Sequence, residues 1–151
     1  IASQTYLIDP ARSWEQQTPF AVPLVNAEGH WFIGWSWSPD GNRIAGWRGG
    51  KVGGEVRDLP GVFLYSLQTQ TYEQVTEKIG RNPIWLKDSR HLLFTDNGNL
   101  YLVDAQTKQT RVLMPRPHDA ITTSCISGDN RRIYYTLSAN EADIHLLTLE
   151  K

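Results

Sequence analysis

The sequence predicts an all-β fold, a β-propeller segment of about three four-stranded blades. Three observations lead to this prediction: a turn motif recurs, a pair of strands follows the motif, and apolar residues alternate with polar ones instead of recurring at helical spacing. A period of about 40–50 residues with four short strands is typical of propeller blades.

The recurring turn motif is clearest in "WSPDGNRI" (37–44). It aligns with "WLKDSRHL" (85–92) and with "ISGDNRRI" (126–133). Pro39 presets φ for the first central position of a tight turn, Asp40 tolerates the second, and Gly41 closes the turn without steric cost. The repeat therefore assigns three aspartates to turns rather than to catalysis: Asp40, Asp88 and Asp129.

A second pair of strands completes the repeat. "VFLYSLQTQTYEQVT" (62–76) matches "NLYLVDAQTKQTRVL" (99–113) in an apolar strand, a polar turn and an alternating strand. "TYLIDPARSWEQQT" (5–18) matches the same pair of strands but has no turn motif before it. "DIHLLTLEK" (143–151) matches the first strand of the pair alone. The predicted organisation is strands c and d of a first blade, two complete blades, and strands a, b and c of a last blade: 1–30, 31–80, 81–120 and 121–151.

The turn box and the "LYLVD" strand resemble the TolB-like β-propeller repeats, and the resemblance extends over 5–151. Such repeats occur in the periplasmic TolB protein and as C-terminal sensor-like domains of bacterial kinases and regulators. The resemblance implies a bacterial, extracytoplasmic (periplasmic) interaction domain. Two departures from the pattern stand out: the second and third boxes lack Pro-Asp-Gly, and the first complete blade carries a long insertion.

Composition argues against several classes of function. The 151 residues carry a formal net charge of -1, so no surface for nucleic acid or anionic lipid is expected. No apolar run reaches the roughly 18 residues that span a bilayer. The single cysteine, Cys125, excludes an internal disulfide framework and a multi-cysteine metal site. Its place beside Ile126 in strand a predicts a buried structural thiol.

A segment of three blades is incomplete, because propellers have about four to eight. An open arc exposes strand edges and apolar blade faces. The chain also begins without Met and without a signal-peptide pattern, and the first expectation is a fragment of a longer chain. If it exists alone, two copies are expected to close a six-bladed homodimeric ring, in which N-terminal strands of one chain complete the last blade of the other.

The chain is rich in tryptophan, with six in 151 residues. Trp37 and Trp85 hold the same repeat position, so both are predicted to pack between blades. Trp31 and Trp35 lie at alternate positions with Trp37 and are predicted to share its buried face. Trp14 and Trp47 are left open, and Trp47 joins the candidate binding residues.

The insertion "RGGKVGGEVRDLP" (48–60) is explained least by the repeat. Its glycines and cations suggest a phosphate cradle, but the P-loop pattern is missing and no helix follows. A surface hairpin that contacts a partner is favoured, because long loops on a rigid scaffold often carry function. The candidate binding residues are Arg48, Lys51 and Arg57, with Trp47 beside them and His118 in the link "MPRPHD" (114–119).

The sequence shows no catalytic or metal-binding pattern. The four histidines lack metal-ligand spacing, and G-x-S-x-G is absent. We therefore predict a non-catalytic scaffold for protein interaction or ligand sensing, without a cofactor and with protein as its partner. The alternatives are a propeller that binds or processes carbohydrate, and the gating propeller of a prolyl oligopeptidase-like peptidase.

Overall fold

The computed structural model describes residues 4–25, 29–116 and 119–139. In these residues the chain forms twelve β-strands and one short 3-10 turn, Trp14–Gln16. No helix among them is long and apolar enough to cross a bilayer. The predicted last strand at 143–151 and the candidate residue His118 lie outside the described residues.

The strands form four antiparallel sheets that follow one another along the chain. The first sheet pairs β1 (Tyr6–Leu7) with β2 (Phe20–Ala21). The second has four strands in sequential order, β3 (Trp31–Trp37), β4 (Arg43–Val52), β5 (Glu55–Ser66) and β6 (Tyr72–Thr76). The third repeats that order with β7 (Arg81–Trp85), β8 (His91–Asp96), β9 (Asn99–Asp104) and β10 (Thr110–Met114). The last sheet pairs β11 (Asp119–Ile126) with β12 (Ile133–Ala139). The all-β prediction with four-stranded repeats is confirmed.

The repeated turn aspartates have the predicted role of closing turns. Asp40 accepts hydrogen bonds from the Ser38 hydroxyl at 2.6 Å and from the backbone N–H of Asn42 at 3.1 Å. Asp129 and Asp88 accept equivalent backbone hydrogen bonds in their own turns. The fourth residue of each turn has a positive φ, 76° at Gly41, 53° at Ser89 and 60° at Asn130, which explains the preference for glycine or a small polar residue there.

The core consists of apolar layers between successive sheets. The layer between the second and third sheets is the most extensive and contains Trp85. A second layer joins the first sheet to the second, and a third joins the third sheet to β11. The first of these layers includes Ala45, Val62, Leu64 and Phe94. The second includes Val22, Phe32, Ile44 and Tyr65. The third consists of Leu93, Leu100 and Ile121.

The predicted burial of the tryptophan cluster is correct for Trp31 and Trp85 and wrong for Trp35 and Trp37. Trp31 and Trp85 are buried, whereas Trp35 is 51% exposed and Trp37 is 50% exposed. The register shows one cause: Gly34 pairs with Gly46 and Ser36 with Ala45, so Trp35 is an extra residue that interrupts the alternation of faces. For Trp37 the cause is its position on the face towards the two-stranded first sheet, which leaves it half uncovered.

The predicted burial of Cys125 is also wrong, because its side chain is exposed. Cys125 pairs with Tyr134 in the last sheet, so both side chains lie on one face. Among the described residues no further sheet covers that face.

Candidate functional site

The insertion at 48–60 forms a hairpin that lengthens β4 and β5 beyond the other strands of their sheet. Gly53 and Gly54 make its two-residue turn with φ of 62° and 86°, as a hairpin turn that matches the strand twist requires. Lys51, Val52 and Val56 are exposed near the tip. The hairpin therefore extends beyond the ends of β3 and β6, on the side where Asp58 contacts Arg81 at the start of β7 in the third sheet.

The other two glycines of the insertion serve packing. A Cβ at Gly49 would lie 2.3 Å from the indole nitrogen of Trp31, and a Cβ at Gly50 would lie 2.6 Å from the ring of His30. Both positions therefore require glycine so that aromatic rings can lie against the backbone of β4. These contacts explain the glycine pattern without a phosphate cradle.

Arg48 and Arg57 both contact the hairpin itself. The Nε of Arg48 donates a hydrogen bond to the carbonyl of Pro60 at 3.2 Å, and its guanidinium lies 5.2 Å from the ring centroid of Phe63. Arg57 donates to the carbonyl of Val52 at 3.0 Å. These two arginines therefore brace the hairpin, whereas Lys51 is exposed near its tip.

Trp47 belongs to a cluster that no sequence motif marks, here called the rim cluster: Trp35, Trp47, Asp58 and Arg81. The indole N–H of Trp47 donates to Asp58 at 3.2 Å, and Arg81 makes an ion pair with the same carboxylate at 2.7 Å. The ring centroids of Trp35 and Trp47 lie 5.6 Å apart. The rim cluster ties the hairpin to the first strand of the next sheet, and Trp35 within it is half exposed.

The rim cluster continues into a cavity of about 410 Å³ between the third sheet and β11. Arg81 lines this cavity together with Thr95, Ile121 and Thr122. Two hydrogen bonds hold its walls together, from the backbone N–H of Ile121 to the carbonyl of Gly98 at 2.9 Å and from the Asn82 amide to the carbonyl of Thr122 at 3.3 Å. An aromatic face, a guanidinium and a polar cavity thus adjoin one another.

An ionic cluster with a structural role lies at the opposite end of the strands of the third sheet. Arg90 donates to Asp104 from Nη2 at 2.5 Å and from Nε at 3.0 Å, and this contact lowers the pKa of Asp104 below its ordinary value. His91 Nδ1 lies 2.7 Å from Asp88. Burial acts to raise the pKa of Asp88, but hydrogen bonds from His91 and from the backbone of Arg90 outweigh it, so the pKa is lowered. These groups brace the turns of the third sheet.

Only some predicted binding residues come together. Trp47, Arg48 and Arg57 lie on the hairpin and its base, and Lys51 lies near the tip. Asp58 and Arg81 were missed, because an acidic residue within a loop and a cation that begins a strand carry no pattern of their own. Among the described residues, no three His, Cys, Asp or Glu side chains are grouped as a metal site requires.

Comparison with known proteins places the fold. No protein-family model and no curated protein matches the sequence. The chain superposes on an oligogalacturonate lyase from Vibrio parahaemolyticus with a TM-score of 0.56 at 17% sequence identity, over 87% of this chain and 35% of the lyase. The fold is a β-propeller. The chain spans about a third of the length of this structural neighbour, and at this identity the likeness concerns the fold alone.

Proposed function

We propose that this propeller segment is a non-enzymatic scaffold whose hairpin at 48–60 binds a protein partner. The observation that carries the proposal is the hairpin itself, which extends exposed apolar and cationic side chains from a braced base. Val56 is 60% exposed near the tip, and Lys51 and Val52 are exposed beside it. Exposed apolar residues next to a cation suit a protein surface of mixed character.

The bracing of the hairpin favours binding over a purely connecting role. A loose loop loses conformational entropy when it binds, whereas a segment already held by hydrogen bonds loses less. Asp58, held by Trp47 and Arg81, fixes one strand of the hairpin, and the Arg57 contact with Val52 closes its end. The hairpin is therefore organised before a partner arrives.

Site-specific photo-crosslinking tests the proposal. A photoreactive residue at Val56 is compared with the same residue at Val112, which is exposed on β10, in extract of the organism that makes the protein. We expect one dominant adduct from position 56, absent from position 112 and weakened by Lys51→Glu. Equal adducts at both positions, or none at position 56, would contradict a docking role of the hairpin.

A second candidate function is carbohydrate binding at the rim cluster. The half-exposed ring of Trp35 offers a stacking surface, and Arg81 beside it is a donor for a carboxylate or hydroxyl group. The similarity to a lyase named for oligogalacturonate makes acidic oligosaccharides the natural probes. Galacturonate oligomers should change tryptophan fluorescence in the unaltered chain and leave Trp35→Ala unchanged; no response in the unaltered chain rejects this candidate.

The finer family assignment belongs with these proposals. We propose that the repeats are of the TolB-like kind, because the Ser-Pro-Asp-Gly turn of one repeat makes the hydroxyl-to-carboxylate bond and the "LYLVD" strand (100–104) follows the turn box of the next. A bacterial periplasmic location goes with that assignment. Fractionation of the native organism tests the location directly, and recovery in the cytoplasm would argue against it.

A further inference from the structure

The cavity between the third sheet and β11 lies at a place that side chains occupy in the preceding junction. There, between the second and third sheets, the indole of Trp47 binds Asp58, which forms an ion pair with Arg81 of β7. Counted from the aligned turn boxes, Trp47 corresponds to Thr95 in the third sheet. By the same count, Arg81 corresponds to Thr122 in β11. Two large side chains are thus replaced by two threonines, and this exchange leaves space for the cavity.

The walls of the cavity are held in place by backbone contacts within the described part of the chain. Asn97 and Gly98 form the two-residue turn between β8 and β9, with φ of 47° and 76°. A Cβ at Gly98 would lie 3.0 Å from the Cα of Ala120, so β11 packs directly on the backbone of this turn. The backbone N–H of Ile121 donates to the carbonyl of Gly98 at 2.9 Å. The cavity is therefore formed before a ligand enters, and binding there requires little ordering of the chain.

Asp96 is a nearly buried residue that lines the cavity and is only 7% exposed. Among the described residues, its carboxylate has one partner, the Nζ of Lys78, at 3.9 Å. That distance is too long for a hydrogen bond. Buried polar groups are normally hydrogen-bonded, so the carboxylate oxygens of Asp96 are suited to accept hydrogen bonds from donors inside the cavity.

The remaining lining combines hydrogen-bonding groups with apolar side chains, as small-molecule sites do. Thr95 is 6% exposed, and its hydroxyl donates to the backbone carbonyl of Arg81 at 3.5 Å, so the hydroxyl oxygen can still accept. The guanidinium of Arg81 has several N–H donors, one of which contacts Asp58. Ile79 and Ile121 supply apolar surface.

The charges at the cavity are already balanced within the protein. Arg81 is paired with Asp58 at 2.7 Å, and Asp96 is paired with Lys78. A ligand with a net charge would compete with one of these pairs, and a cation beside Asp96 would also be repelled by Lys78. A neutral ligand with several hydroxyl groups avoids this conflict, because hydroxyls donate to Asp96 and accept from Arg81 without added charge.

We propose that this cavity binds a neutral sugar of monosaccharide size. Hydroxyl groups of the sugar donate to Asp96 and Thr95 and accept from Arg81, and C–H groups of its ring lie against the two isoleucines of the lining. The volume of about 410 Å³ is within the range of small-molecule sites. This inference goes beyond the proposed protein-binding role of the hairpin. It also differs from the second candidate function, because it requires neither the ring of Trp35 nor an acidic sugar.

Titration of the unaltered chain with D-glucose, D-galactose and D-mannose, followed by ¹H–¹⁵N NMR, tests the proposal. We expect at least one of these hexoses to shift the backbone amide signals of Gly98, Ile121 and Thr122 saturably, with a millimolar dissociation constant. The amide signal of Lys51, near the hairpin tip, should stay in place. D-galacturonate should bind about tenfold more weakly than the responding hexose, because it brings a charge to a balanced site.

Variants of the lining separate binding in the cavity from binding elsewhere. Asp96→Asn and Thr95→Val keep the size of the side chain and weaken or remove an acceptor, so affinity should fall about tenfold and about threefold, respectively. Glu73→Gln makes the same chemical change as Asp96→Asn on β6 and should leave the affinity unchanged. Trp35→Ala should also leave the affinity for the hexose unchanged, although stacking at the rim cluster would be lost. Unshifted amide signals away from the cavity check that each variant is folded.

Other results would overturn the proposal. If none of the three hexoses shifts the signals saturably, the cavity holds water only. Equal affinity in the unaltered chain, Asp96→Asn and Thr95→Val would mean that the sugar binds elsewhere. Loss of hexose binding in Trp35→Ala, or tighter binding of galacturonate than of every hexose, would favour the acidic-sugar site at the rim cluster instead.

Discussion

Replacement of Trp85 by alanine should be among the most destabilising single changes in the chain. Trp85 is the wedge between the second and third sheets, and its side chain is 4% exposed. It packs in the largest apolar layer and lies under the guanidinium of Arg43. Its indole N–H, however, is buried without a hydrogen-bond partner among the described residues.

The expected magnitude follows from these three contacts. Loss of a buried tryptophan side chain costs about 3–5 kcal/mol in transfer and cavity terms. The stacking of Arg43 adds about 0.5–1 kcal/mol to that loss. Removal of an unpaired buried N–H returns about 1–3 kcal/mol, because that group no longer has to be desolvated. The net decrease in unfolding free energy should therefore be close to 3 kcal/mol.

Urea unfolding followed by circular dichroism measures the effect, with an unchanged m-value as the check that the same transition is observed. Trp85→Phe keeps most of the apolar contact and removes the N–H, so its cost should stay below about 1.5 kcal/mol. Trp14→Ala makes the same chemical change at an exposed position and should cost less than about 0.5 kcal/mol. A loss below about 1 kcal/mol for Trp85→Ala, or equal losses for Phe and Ala, would refute the wedge argument.

The further predictions use the same unfolding assay. Gly49→Ala should cost about 1–3 kcal/mol, because its Cβ would lie 2.3 Å from the indole nitrogen of Trp31, whereas Gly128→Ala, with nothing within 4 Å, should be near neutral. Gln70→Gly should stabilise the chain by about 0.5 kcal/mol, since Gln70 has a φ of 56°; a loss would contradict the strain argument. Tyr65→Phe should be neutral or stabilising, because the Tyr65 hydroxyl is buried without a partner. Burial also raises the pKa of Tyr65 above 10.0, so the folded chain keeps a proton that the unfolded chain releases; stability should fall above about pH 10, and less so in Tyr65→Phe. Hydrogen bonds from Ser38, Arg90 and Ser127 lower the pKa values of Asp40, Asp104 and Asp129 below 3.8, so stability should decline as pH falls through about 4, and a flat profile there would argue against these bonds.

The strands and turns were predictable because they recur. One Ser-Pro-Asp-Gly box indicates a hairpin, but its alignment with two weaker boxes identified the turn aspartates, and all three accept the expected backbone hydrogen bonds. A turn can be predicted from sequence because its conformation depends on four or five neighbouring residues and needs no distant partner.

Faces and partners were less predictable because they depend on register. One extra residue in β3, Trp35, breaks the alternation that placed Trp31, Trp35 and Trp37 on one face. The burial of Cys125 was mispredicted for another reason, since its face is covered only if a further blade follows. A local pattern of apolar and polar residues shows neither a bulge in a strand nor whether a neighbouring blade covers one of its faces.

The candidate site could also be predicted only in part from the sequence. The insertion could be identified because it does not match the repeat. The contact that anchors it, between Asp58 and Arg81, could not be identified, because neither residue belongs to a motif. That contact joins the hairpin to β7, the strand that ends in Trp85. Loss of Arg81 should therefore loosen the hairpin relative to the third sheet and leave the pairing of β4 with β5 in place. Asp58 and Arg81 thus form an anchoring contact, distinct from the binding surface that we propose near the hairpin tip.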